Sequence, residues 1–398
     1  MFHDALLIGA FAAYIDEFYD VPHIVRPGQT ISAISTSRRL GGKGANQAKA
    51  AACAGATVLL DGAVGSGAEG REVVDELCAA VQGVKDAGVP TPTPATDEGG
   101  RILSDRIRKW DDGPTGKAMI QRAQDGENSI IILAGANFSH PTKPYSPLLP
   151  RGTTHLLLAN EIPFPETIAY LRASSPSPSS GGMSASTITT IYNPSPMPSS
   201  TQLLDFPWSL VTWLIVNEGE LGDIARAVLS PSNTEKHVQQ AVEYLTSGDK
   251  EKDEARNVEA STTVARALHT ALPRLSSLDN EPTEGAGGAV NIICTLGSSG
   301  VLYVRSLPTT TATATASVSA KRIAAAKLLR PIRDTTGAGD CFMGFLAAGL
   351  MRLEERVGGG GDANDQADGV KEEEEEAFDD VIRRCLTVRS SPRLTSLQ

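Results

Sequence analysis

The sequence predicts an α/β fold built on a mainly parallel sheet, and three observations carry that reading. Short apolar runs alternate with helical patterns along most of the chain, several runs are apolar at consecutive positions, and glycine-rich turns stand where runs give way to helices. Consecutive apolar residues are what a strand covered on both faces requires, whereas a half-exposed strand alternates. Strand–helix alternation then selects α/β architecture.

Strands are expected over Ala5–Ala10, Thr57–Leu60, Ile130–Leu133, His155–Ala159, Thr187–Tyr192, Val211–Val216, Val290–Cys294 and Val301–Val304. Between them, Arg71–Val81 carries one apolar stripe through Val73, Val74, Leu77, Cys78 and Val81, the spacing of an amphipathic helix. Cys341–Leu350 is apolar almost all round and is expected to be a buried helix. Four stretches interrupt the pattern and lack the apolar content to order themselves: 174–186, 247–260, 307–326 and 354–376. The last holds Gly358–Gly361 and the glutamates Glu372–Glu376, read as a solvated, self-repelling loop rather than a metal site. No internal repeat is present.

Composition narrows the function. At 398 residues with 40% hydrophobic and 21% charged residues the chain can bury a core, and wholesale disorder is excluded. A net charge of −11 argues against a nucleic-acid or anionic-membrane partner held by bulk electrostatics. The apolar runs are too short to span a bilayer, which takes about 20 residues. The first residues lack a basic region followed by an apolar one, so no secretory signal is expected. Cys53, Cys78, Cys294, Cys341 and Cys385 show no CxxC spacing, which disfavours zinc or a disulfide framework. A reduced, cytoplasmic protein is expected. The six histidines are scattered, and none is assigned to catalysis.

Three glycine-rich turns carry the chemistry. Gly65–Gly70 matches GxGxxG, but it follows a second strand and no strand-end acid stands about 20 residues on, so a dinucleotide site is disfavoured. Gly41-Gly42-Lys43-Gly44-Ala45-Asn46-Gln47-Ala48 lacks the Walker spacing. Its glycines permit close backbone approach to a ligand, and Asn46 offers both a donor and an acceptor to vicinal hydroxyls. The alternative is an ordinary helix start with Asn46 as a local cap. Asp334-Thr335-Thr336-Gly337-Ala338-Gly339-Asp340 enters the apolar helix, where free N–H groups and the helix dipole form an anion nest. There Asp340 is either an N-cap or a carboxylate that accepts a hydroxyl proton while the amides take developing charge.

The second and third turns together resemble the two signatures of the ribokinase-like carbohydrate kinase family, GGKGANQA and DTTGAGD. Other landmarks follow in family order: Asp16 before Pro27-Gly28, Ala134–Asn137, Asn160–Pro163, Asn193–Pro196, Asn217–Glu220 and Thr295–Gly300. The resemblance implies a doubly wound sheet flanked by helices with a small β-sheet lid, here from about 28–40 and 97–121, all within one domain over 1–353. It implies Mg-ATP-dependent phosphorylation of the 5-hydroxyl of D-ribose, with Asp340 as base and Gly337, Ala338 and Gly339 as anion hole. Asp16, Gly41, Gly42, Lys43, Gly44, Asn46 and Glu161 would grip the sugar with Asp340. Asn193, Thr295, Leu296, Gly297, Ser298, Ser299, Gly300 and Gly339 would hold ATP. Asn217 and Glu220 would organise Mg²⁺, Asp334 and Thr336 would supply part of a K⁺ site, and a homodimer would form through the lid.

Two departures from the family pattern stand out. Tyr14 replaces the usual Asn two residues before Asp16, and the strand-to-Asp spacing is about two residues longer. After Ala377–Cys385, which resembles the start of the family's next helix, the pattern gives way to a Ser, Arg and Pro tail within 377–398. Loss of that packing would expose apolar surface on Cys341–Leu350. The alternatives are a family member that binds a sugar or a protein without turnover, a kinase for a related sugar or nucleoside, and, last, an oxidoreductase.

Overall fold

The computed structural model describes residues 5–86, 100–139, 147–175, 188–247, 253–275, 289–307, 317–327, 337–358 and 367–388. In chain order the elements are β1 (Ala5–Phe11), β2 (Tyr14–Val21), β3 (Ser35–Gly41), α1 (Lys43–Cys53), β4 (Thr57–Gly65), α2 (Ala68–Asp86), β5 (Arg101–Trp110), β6 (Gly116–Ala123), β7 (Asn128–Leu133), β8 (Thr153–Ala159), α3 (Phe164–Ser174), β9 (Thr189–Asn193) and α4 (Ser200–Leu204). Then come β10 (Trp213–Asn217), α5 (Glu218–Val228), α6 (Lys236–Thr246), α7 (Glu254–Ala271), β11 (Asn291–Thr295), β12 (Val301–Ser306), β13 (Val318–Ile323), α8 (Ala338–Gly358) and α9 (Ala367–Val388).

A nine-stranded sheet has the order β13-β12-β11-β10-β9-β8-β1-β4-β5. It is parallel from β5 to β11 and turns antiparallel at β12 and β13. Adjacent strand residues serve opposite layers, which is why these strands read as unbroken apolar runs. Leu157 packs with α1, α2, α8 and α9 on one face, while Leu156 and Leu158 pack with α3, α5 and α7 on the other. The doubly wound α/β expectation is met. From β1 the chain winds one way to β4, and from β8 it winds the other way to β11, so the strand order reverses between β1 and β8. Ligands in such sheets bind beyond the carboxyl ends of the strands near that reversal.

The lid is a separate four-stranded sheet, β3-β2-β6-β7. Its extent differs from the expected 28–40 and 97–121. β3 and β6 fall within or close to those limits, but β2 and β7 also belong to it, and β5 pairs in parallel with β4 at the edge of the large sheet. Arg101–Trp110 mixes charged and apolar residues because it is an edge strand with one face open. Ile130–Leu133, expected as a buried strand, is the edge of the lid, and all four side chains are exposed.

Three of the low-complexity stretches contain ordered elements. α7 begins inside 247–260, where Asp253 caps it by accepting from the N–H of Arg256 at 2.8 Å. It is held by the stripe Ala260, Val264, Ala265 and Leu268 further along. β13 lies inside 307–326 and pairs with β12. Within 354–376, α8 continues to Gly358 and α9 begins at Ala367, so the expected loop is partly helical. The reason lies downstream: Phe378, Ile382, Cys385 and Leu386 form a buried stripe that anchors α9, and helix grows from it through the glutamates. Glu375 accepts from Ser319 at 2.9 Å, and Asp379 accepts from the Tyr303 hydroxyl at 2.8 Å. α9 also covers α8, so the expected bare face on Cys341–Leu350 is buried. The helices approach so closely that a Cβ on Gly349 would sit 2.5 Å from Val381. Residues 389–398 lie outside the described residues. No helix among the described residues is long and apolar enough to cross a membrane.

Candidate functional site

The site forms where α1 and α8 both begin, above the ends of β8 to β11. Gly42 adopts φ 94° between β3 and α1, and a Cβ there would stand 2.5 Å from the carbonyl of Ala12. The β1–β2 connection beneath it is fixed by Asn137, which accepts from the N–H of Ala13 at 3.0 Å and donates to its carbonyl at 2.9 Å. The AGAN segment therefore serves the backbone under the glycine turn. The longer strand-to-Asp spacing is partly absorbed by a bulge in β1 between Ile8 and Phe11, where the register against β4 shifts.

Asp16 on β2 lies against Gly41, where a Cβ would be 2.0 Å from its Oδ2. Glycine is required there because the carboxylate occupies the side-chain volume. Burial pushes the Asp16 carboxyl up to about 6, against the pull of Lys49 and Arg39. Glu161, just beyond β8, accepts from the N–H of Lys43 at 2.7 Å, satisfying one of the free amides that open α1. Burial pushes its carboxyl up to about 7 despite that bond and the charge of Lys43, with Asp340 and Asp16 adding repulsion. Tyr14 is buried beside it, its hydroxyl pushed up to about 12 by burial and by Glu161.

At the start of α8, Gly337 has φ 71° and Asp340 sits in the first turn. Asp340 is 6% exposed, and burial raises its carboxyl above the usual range while Lys43, Gln47 and Asn46 pull it down. Asn46 donates to Oδ2 at 3.2 Å and Gln47 to Oδ1 at 3.1 Å. A cavity of about 130 Å³ opens beside it, lined by Lys43, Asn193, Asn217, Glu220, Thr295, Gly337, Gly339 and Asp340, with Ile215, Val216 and Met343 as its apolar wall. Among the described residues no atom outside the helix lies within 4 Å of where a Cβ on Gly339 would stand. A buried carboxylate, a lysine and helix-start amides around one cavity can take a proton and stabilise an anion.

Eight of the residues singled out from sequence thus meet at one cavity; Asn46 and Glu161 do not line it but bond to Asp340 and to the Lys43 N–H, which do, and Asp16, Gly41 and Gly42 lie outside its wall. Others do not. Leu296, expected at a nucleotide, is a core residue packed under β11. Gly300 has φ 99°, and a Cβ on it would strike the carbonyl of Ile323, so its glycine serves the β11–β12 turn. Gly297, Ser298 and Ser299 lie on that turn, outside the cavity wall. Asn217 and Glu220 form a reciprocal cap on α5, with Asn217 accepting from the N–H of Glu220 at 2.8 Å and Glu220 from that of Asn217 at 3.0 Å. Asp334 and Thr336 lie outside the described residues. Gly65–Gly70 is a tight strand-to-helix turn, since a Cβ on Gly70 would overlap the carbonyl of Gly65. Sequence reasoning missed Gln47, Met343, Ile215 and Val216. Gln47 stood within the quoted motif, but only the packing of α1 on α8 shows what its amide reaches.

No family model matches the chain. A curated ribokinase of Arabidopsis thaliana is 30% identical over 135 residues, 34% of this chain and 31% of its own length. The match therefore spans about a third of that relative. Among solved structures, the ribokinase of Cryptococcus neoformans var. grubii serotype A in complex with ADP is 34% identical, with a TM-score of 0.66 over 98% of this chain and 93% of the other. The Arabidopsis thaliana ribokinase complexed with ribose and ATP, at 20% identity, shares the fold with a TM-score of 0.57 over 98% of this chain and 92% of the other. With a relative above 30% identity aligned along nearly its whole length, and with both signature turns meeting at one cavity, the chain belongs to the ribokinase-like carbohydrate kinase family.

Proposed function

We propose that the chain transfers the γ-phosphoryl group of ATP to the 5-hydroxyl of D-ribose. The observation that carries this reading is the buried Asp340 carboxylate, set among the opening amides of α8 and linked by Asn46 to the glycine turn that borders Asp16 and Glu161. The ADP complex of the fungal relative and the ribose–ATP complex of the plant protein support the same pair of ligands.

Sugar hydroxyls pair with Asp16, Asn46, Glu161 and the backbone at Gly41–Gly44, while Lys43 reaches toward the phosphates. Asp340 accepts the proton of the 5-hydroxyl as that oxygen bonds to the γ-phosphorus, the bond to the β-phosphate oxygen breaks, and ADP leaves. The amides of Gly337, Ala338 and Gly339 take the charge that spreads over the transferred group. Asn193 and Thr295 border the nucleotide, with Gly297–Gly300 beyond them. The Asn193 amide donates to the carbonyl of Ile215 at 2.9 Å, which fixes the side chain at the cavity wall. Magnesium is bound in such sites by one or two carboxylates plus phosphate oxygens, and Glu220, oriented at the cavity by its cap with Asn217, fits that donor set. When bound, the ion neutralises phosphate charge.

A second copy of the chain is the proposed partner, docked on the lid. Ile130 and Ile132 are exposed, beside a small buried apolar cluster of Phe18, Ile120 and Ala118 on the same face of the lid. Sedimentation of an Ile130→Asp/Ile132→Asp variant as a monomer where the native chain is a dimer supports this. Identical masses refute it.

The function is tested by ADP release from Mg-ATP with ribose, deoxyribose, fructose or adenosine. Ribose-dependent release that falls about 10²–10⁴-fold in Asp340→Asn supports the reading. Turnover with another acceptor alone replaces the substrate, and sugar binding without turnover replaces the enzyme.

A further inference from the structure

We infer that Gln47 is a positioning residue for Asp340: its side-chain amide holds Oδ1 from beneath, so that Oδ2 is the oxygen presented to the substrate hydroxyl. This rests on the reading of Asp340 as the base.

Gln47 is fully buried on α1, a helix that also buries Ala45, Ala48, Ala51 and Ala52 and the longer Lys49. Its Nε2 lies 3.1 Å from Asp340 Oδ1 and 3.8 Å from the sulfur of Met343, while its Oε1 has no hydrogen-bond partner among the described residues. The amide orientation follows from the acceptor, because the reverse would set a carbonyl oxygen against a carboxylate oxygen. Leaving a buried carbonyl unpaired is unfavourable, and methionine would fill the same space without that penalty. Packing alone therefore does not account for an amide here; a donor to Asp340 does.

The spacing of the two helices supports the assignment. Gly344, one turn along α8 from Asp340, faces α1 so closely that a Cβ would stand 2.5 Å from the carbonyl of Gln47 and from the Ala50 side chain. That approach brings the amide within reach of the carboxylate. Asn46 also donates to Asp340, on Oδ2 at 3.2 Å, but it is only partly buried, so a bound sugar can take over its amide. Gln47 lies behind the carboxylate and cannot exchange in this way.

The groups facing Asp340 divide by charge. Lys43 and Lys49 of α1 favour the ionised form, Glu161 beyond β8 and Asp340 repel one another when charged, Asp16 of β2 repels Glu161, and Glu220 of α5 lines the same cavity. Gln47 stabilises the carboxylate without adding charge that would also attract phosphate. Losing its donor raises the pH at which the base ionises, and replacing it with a carboxylate raises that pH further.

The test uses Gln47→Met and Gln47→Glu, both close to glutamine in volume, with folding checked by thermal melts. In Gln47→Met the acid limb of kcat/KM for the sugar moves up by about one pH unit, a tenfold loss below the limb that recovers above it. KM changes little at high pH. In Gln47→Glu the limb moves further, because two carboxylates then share one proton. The ¹³C carboxyl resonance of Asp340, assigned by its absence in Asp340→Asn, shifts its titration in the same direction in both variants. A pH-independent loss of rate with an unmoved resonance overturns the inference. A moved resonance in a protein without sugar-dependent turnover leaves Gln47 in its role and removes the kinase reading instead.

Discussion

Glu161→Gln is expected to stabilise the ligand-free protein at neutral and higher pH while weakening sugar binding. Glu161 is raised from 4.5 to about 7 because burial penalises its charge more than the Lys43 N–H and the Lys43 charge reward it. Between those two pH values the folded state binds more protons than the unfolded one, so stability contributed by the neutral carboxyl falls as pH rises and is lost above about 7. A tenfold change in proton affinity corresponds to about 1.4 kcal/mol, so the rise costs on the order of 2–3 kcal/mol at pH 8 once partial exposure is discounted. Glutamine still accepts from the Lys43 N–H but carries no charge. Urea melts of both proteins from pH 5 to 8.5 test this through their difference, which cancels the other titrating groups to first order. The difference should be small at pH 5, about a quarter of its full size, and grow toward pH 8, with the variant the more stable. Parallel curves, or a variant less stable at pH 8, would refute the assignment of a desolvated, repelled carboxylate to this position. A gain in stability joined to a loss of sugar binding is the trade-off expected of a functional site.

Gly344→Ala should push α8 away from α1, costing about 1–3 kcal/mol of stability and lowering any turnover, since its Cβ would fall 2.5 Å from Gln47 and Ala50; denaturant melts and initial rates measure both. Asn217→Ala should cost about 1 kcal/mol by removing the acceptor for the Glu220 N–H. Glu220→Gln should leave stability nearly unchanged and, if Glu220 holds magnesium, raise the Mg²⁺ concentration needed for half-maximal rate. An unchanged Mg²⁺ dependence would confine the pair to capping. Asp379→Ala should loosen α9 by about 1–3 kcal/mol, because Lys321 loses its acceptor and the Tyr303 hydroxyl keeps only the longer bond to Glu375 at 3.4 Å; faster amide exchange along 373–388 in the variant would report it.

The parallel sheet was legible in sequence because its strands are buried on both faces. His155–Ala159 and Val290–Cys294 could satisfy two cores only by being apolar almost throughout, and that pattern needs no partner to be read. The two signature turns were legible because glycine at a left-handed or crowded position, as at Gly42 and Gly337, leaves a local mark. The lid was mostly hidden. β2 and β6, like the edge strand β5, carry charged residues on an open face, and the apolar β7 invited assignment to the core although its side chains are exposed. Of α9 only Ala377–Cys385 was expected, by resemblance; its first turns were hidden because their glutamates repel one another locally, and the stripe beginning at Phe378 acquires meaning only against α8 and β12.

The sequence alone determined the fold class and the order of the two glycine turns, since each depends on contacts within a few residues or on a simple period, while most residues around the cavity were pointed to by the resemblance to the kinase family. Only the tertiary structure decided that Leu296 belongs to the core, that Asn217 and Glu220 cap each other, and that Gln47 meets Asp340 across 293 residues. Those outcomes depend on how closely two helices approach and on which groups lose their water. Both are set by the packing of the whole chain, and no local pattern encodes either.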